Sequence, residues 1–110
     1  MQAIVYFGPS KNWLLNKLLP DEFQHCYMVV YSQEQRIVVD PTVDGLEIFV
    51  SDNHHRPYSR YVRCTPHPIK NFGLLGVHSC VSYIKRMLGI NKWWIITPRQ
   101  LYKELTNGNV

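Results

Sequence analysis

The chain has 110 residues, 45% of them hydrophobic and 18% charged, which suits one domain around one core and excludes a disordered chain. Its formal charge of +4 favours anionic partners, but the lysines and arginines are scattered from Lys11 to Lys103, the pattern of a solvated surface. No apolar span reaches membrane length, the opening MQAIVYFGPSKNW lacks a secretory signal pattern, and three cysteines with no close pair argue against a disulfide framework.

In chain order, QAIVYF reads as a short strand ended by Gly8-Pro9, and SKNWLLNKLLP as a helix capped by Ser10 and stopped by Pro20. FQHCYMVVYS and RIVVDPTV are β-branched and aromatic runs joined by a polar QEQ neighbourhood, a hairpin signal. LEIFV extends the sheet, and YSRYVRC is a further strand. TPHPIKNFGLLG, with two prolines and two glycines over twelve residues, is an irregular connection. The helix that follows carries Val81, Ile84, Met87 and Leu88 on one face with Cys80, while Lys85 and Arg86 point elsewhere; Ser79 can cap its start, and Gly89 stops it. KWWII reads as another strand, and TPRQLYKEL as a last helix with Thr97 at the cap and Pro98 at the first helical position. The expected architecture is α+β, one antiparallel sheet supported by helices, in a single domain spanning residues 1–110.

Two positions carry candidate chemistry. A cysteine in the first turn of a helix sits beside unpaired backbone N–H groups and the positive end of the helix dipole, both of which favour thiolate. Cys80 has that position, although a cysteine on an apolar helix face also serves as a small core residue. His25, near the start of an apolar strand, needs a partner if it is buried. A turn centred on Gln33-Glu34 places Thr42 opposite His25, with Asp40 and Asp44 diagonal to it on the same face. Asp40 is the preferred partner because it ends a β run before Pro41, whereas Asp44-Gly45 reads as a turn. A base aimed by a carboxylate and reaching a helix-start thiol is what thiol acyl chemistry requires.

The blocks FQHCYMVVY, RIVVDPTVDGLEIFV, SCVSYIKRMLGI and WWIITPRQLYKEL, over roughly residues 23 to 105, resemble small phage and prophage proteins of the NlpC-like branch of the papain fold. The order of His25 before Cys80 is similar to that of the circularly permuted members. The resemblance implies a permuted papain-like domain in which an antiparallel sheet packs against a helix bearing the nucleophilic cysteine. It also implies a cysteine hydrolase or acyltransferase acting on an amide or ester carbonyl, such as a peptidoglycan peptide, with Cys80 as nucleophile and His25 as base; Asp40 is the third site residue. No cofactor is expected. The expected location is the host cytoplasm on synthesis, with incorporation into a virion in view. A non-enzymatic virion or tail-assembly component, docked on phage structural proteins, is the competing expectation.

Cys64, His67, His78 and Cys80 are of zinc-ligand type, but a His-x-Cys spacing is tighter than a usual knuckle and would consume the helix-start thiol. His54-His55, beside Arg56, reads as an exposed loop tip, and Trp93-Trp94 as one buried and one rim-exposed ring. With no ribonucleoprotein or helix-turn-helix motif, nucleic acid is not an expected partner.

Overall fold

A computed structural model describes residues 2–10, 17–42, 45–51, 56–66, 80–90, 92 and 94–107. Five strands, β1 (Gln2–Gly8), β2 (His25–Ser32), β3 (Gln35–Thr42), β4 (Gly45–Val50) and β5 (Arg60–Cys64), form one antiparallel sheet in the order β4-β3-β2-β1-β5. Two helices follow, α1 (Cys80–Leu88) and α2 (Pro98–Thr106). The α+β architecture read from the pattern is therefore present. Of the helix expected after Ser10, residues 11–16 lie outside the described residues, and Lys17 and Leu18 are helical.

The β2–β3 hairpin turns at Gln33 and Glu34, both with positive φ (50° and 66°), as a two-residue loop between twisted strands demands. Met28 is thereby opposite Val39, Val29 opposite Val38 and Ser32 opposite Gln35. This is the register expected from the sequence, and alternation along it separates two faces. One face carries Ala3, Val5 and Phe7 from β1, Cys26, Met28 and Val30 from β2, and Val39 from β3; Val81, Ile84 and Leu88 of α1 and Leu101 and Leu105 of α2 pack on it. Burying side chains such as Ile84 and Leu101 completely stabilises the fold by about 2 kcal/mol each. The other face carries Tyr6, Tyr27, Val29 and Val38 in a smaller cluster, with Tyr6 stacked on Tyr27 at 5.1 Å.

The helix ends are built as their residues suggest. Thr97 accepts from the Gln100 N–H, and the Gln100 side chain accepts from the Thr97 N–H, a capping box with Pro98 at its head. Gly89 takes a positive φ of 74°, and the Ile90 N–H donates to the Lys85 carbonyl, closing α1. Ser79, expected to cap α1, lies outside the described residues.

Two expectations are corrected. No described residue of KWWII is in a strand: the Ile95 N–H donates to the Lys92 carbonyl in a turn, leaving Ile95 buried and Trp94 exposed. Lys85 does not point to solvent. It is buried, and its Nζ donates to the carbonyls of Lys92 (2.8 Å) and Ile95 (2.7 Å). The two corrections share a cause, because a chain that turns instead of extending presents carbonyls that need a donor, and Lys85 supplies it. Burial pulls the Lys85 ammonium below the ordinary lysine value. Lys85→Met should keep the apolar stem but remove the ammonium's bonds to the Lys92 and Ile95 carbonyls, lowering stability by about 2–4 kcal/mol in urea unfolding; a change below about 0.5 kcal/mol would show that the ammonium does not tie the turn to α1.

Candidate functional site

His25 opens β2 opposite Gly8 of β1, and its entry is fixed by the residue before it. The Gln24 N–H donates to the Gly8 carbonyl, and the buried Gln24 side chain accepts from the Ser10 N–H and donates to the Leu19 carbonyl and Asp21 Oδ1. His25 shares its face of the sheet with Tyr27 and Val29, so it stands on the smaller, tyrosine-lined face.

Asp40, near the end of β3, is fully buried on that same face. His25 Nε2 lies 2.8 Å from Asp40 Oδ1, and Arg56 Nε donates to Asp40 Oδ2 at 2.7 Å. Burial alone would raise the Asp40 carboxyl, but hydrogen bonds from His25 and Arg56, together with their charges, outweigh it and hold the group below its usual range. An ionised carboxylate only accepts, so Nε2 carries the proton and the neutral imidazole has Nδ1 as its acceptor nitrogen.

Arg56, which follows the His54-His55 pair, is half-buried against Asp40. Its carbonyl accepts from Tyr27 Oη at 2.9 Å, and burial pushes the Tyr27 hydroxyl up to about 12. The next residues run over the second face beside β1: Tyr58 meets Tyr6 edge to face at 4.7 Å, and the Ser59 N–H donates to the Phe7 carbonyl. Gly8 makes this approach possible, since a Cβ there would lie 2.7 Å from the Pro57 carbonyl oxygen and 2.8 Å from Tyr58 Cα.

Of the three site residues expected from the sequence, the structure brings His25 and Asp40 into contact. Cys80 is the first residue of α1, whose apolar residues pack on the opposite face of the sheet from His25; its side chain lies outside the described residues, as does Asp44. Cys26 is buried on the helix-covered face, and Cys64 packs at the margin of the same core, where burial pushes its thiol up to about 11. Of the zinc candidates, His67 and His78 lie outside the described residues, as do His54 and His55; among the described residues no group of three or more metal-ligating side chains occurs. No described helix is long and apolar enough to cross a membrane.

Comparisons with family models, with curated proteins and with solved structures found no match to this chain. The site is therefore read from its own residues.

The lowered Asp40 value fixes the sign of a pH effect. A carboxyl depressed on folding contributes stability that is present above its unfolded value, about 3.9, and is lost as pH falls through the folded value. Asp40→Asn should be less stable than wild type by about 3 kcal/mol near pH 7, and the gap should narrow below about pH 4 in urea unfolding. A gap of the same size at pH 7 and pH 3 would mean that the charge of Asp40 contributes nothing.

Proposed function

We propose that the chain is a small thiol hydrolase or acyltransferase with a permuted papain-like, NlpC-type fold. Cys80 attacks an amide or ester carbonyl, His25 takes the thiol proton, and Asp40 orients the imidazole. The observation that carries this reading is the bond of 2.8 Å between His25 Nε2 and Asp40 Oδ1, two buried side chains placed together by the hairpin register. A buried carboxylate on one ring nitrogen makes the other nitrogen the proton acceptor, which is the task of a general base. The thiolate would form a tetrahedral intermediate whose oxyanion is held by N–H groups at the start of α1; the imidazolium would return its proton to the leaving group, and water or a second acceptor would release the acyl group. A phage-type enzyme of this kind would act on a cell-wall peptide.

This reading requires the thiol to meet the imidazole at the end of the sheet where β2 begins, because α1 packs on the other face. The same arrangement favours a second reading, an interaction module without turnover. In that reading His25, Asp40 and Arg56 tie strands together, and Leu46, Ile48 and Val50, exposed along the edge strand β4, contact a virion or tail-assembly partner.

Limited treatment with iodoacetamide at neutral pH, followed by peptide mapping, separates the two. The enzyme reading expects Cys80 to be modified first, with Cys26 shielded and Cys64 slowed by its high value, and expects His25→Ala to slow Cys80 by about tenfold or more while the fold persists. If Cys64 reacts before Cys80, or if His25→Ala leaves Cys80 unchanged, the module reading stands.

A further inference from the structure

We propose that Arg56 is a positioning residue that keeps His25 able to act as a base, by sharing the Asp40 carboxylate with it. This rests on the acyl-transfer reading for its purpose, but not for its physics. Asp40 offers two oxygens, and the structure places His25 Nε2 on one and Arg56 Nε on the other, at 2.8 Å and 2.7 Å, around a carboxylate with no exposure. With Asp40 as sole neighbour, a buried imidazole is drawn toward its charged form, because the ion pair offsets the cost of burying each charge. An imidazolium already paired in this way cannot accept a proton. Arg56 changes that balance: its permanent positive charge meets part of the carboxylate's demand and repels a second cation on the far oxygen.

The position of Arg56 is itself fixed. Tyr27, which lies between His25 and Val29 on the same strand face, donates its hydroxyl to the Arg56 carbonyl, and Tyr58 packs on Tyr6 just beyond. The segment rests where Gly8 leaves room beside His25. The guanidinium is therefore delivered by a backbone anchored to β1 and β2, the strands that carry Gly8 and His25, and it needs no loop closure to find Asp40.

The test is an NMR titration of the His25 ring in the intact chain, compared among wild type, Arg56→Gln, Arg56→Met and Arg56→Lys, with amide spectra to establish that each variant is folded. The inference expects the His25 titration to move upward by about one pH unit in Arg56→Gln and Arg56→Met, and to return most of the way to wild type in Arg56→Lys, which restores a cation. An unchanged or lowered titration in either charge-free variant that folds overturns it. Failure of both to fold while Arg56→Lys folds also overturns it, since Arg56 would then be a structural tie. The titration does not involve Cys80. Iodoacetamide rates of Cys80 against pH, taken on the same variants, follow the shift of His25 if the acyl-transfer reading holds; rates that ignore a confirmed shift contradict that reading and leave the role of Arg56 toward His25 standing.

Discussion

A fully buried carboxylate needs partners on both oxygens, and Asp40 takes them from two places distant in sequence: His25 at the head of β2 and Arg56 after β4. This demand organises much of the second face of the sheet. It fixes the β2–β3 register from the side-chain end while the Gln33–Glu34 turn fixes it from the other, and it draws the segment at Arg56–Ser59 down onto β1. The tyrosines on that face follow from the same constraint. Tyr27 anchors the Arg56 backbone, Tyr6 stacks on Tyr27, and Tyr58 and Tyr61 pack around Tyr6, so a polar cluster is enclosed by amphipathic rings.

The two faces divide the work of folding. The helix-covered face is apolar and owes its stability to area: Phe7, Cys26, Met28, Ile84 and Leu101 are completely buried there. The second face has a smaller apolar cluster and is held by directed bonds to an ionised carboxylate, so its stability follows pH on the acid side. The proposed papain-like reading needs a thiol from the helical layer to reach an imidazole on the second face, so it asks more of the chain than the fold does.

Much of this was legible in the sequence because it is written in local patterns. Alternation in HCYMVVYS and QRIVVDPT, with a polar pair between them, is enough to place Asp40 diagonal to His25, and Thr97-Pro98 marks the start of the last helix. What was missed depends on contacts between distant segments. A buried aspartate with one histidine implies a second donor, but nothing local to SDNHHRPYS distinguishes Arg56 from the other arginines; its anchoring by Tyr27 and the room at Gly8 appear only in three dimensions. KWWII has strand-like composition, yet its Lys92 and Ile95 carbonyls accept from Lys85, a residue that helical periodicity alone assigns to the solvent side. In KWWII, strand propensity lost to tertiary hydrogen bonding.

The central claim is that Asp40, ionised and buried, accepts a hydrogen bond from the protonated His25 Nε2 and so leaves Nδ1 as the basic nitrogen. Long-range nitrogen–proton correlation spectra of the His25 ring, recorded above its titration, read the tautomer directly. The account predicts a protonated Nε2 and an unprotonated Nδ1, with the preference lost in Asp40→Asn. A neutral ring protonated at Nδ1 in the wild type would contradict it.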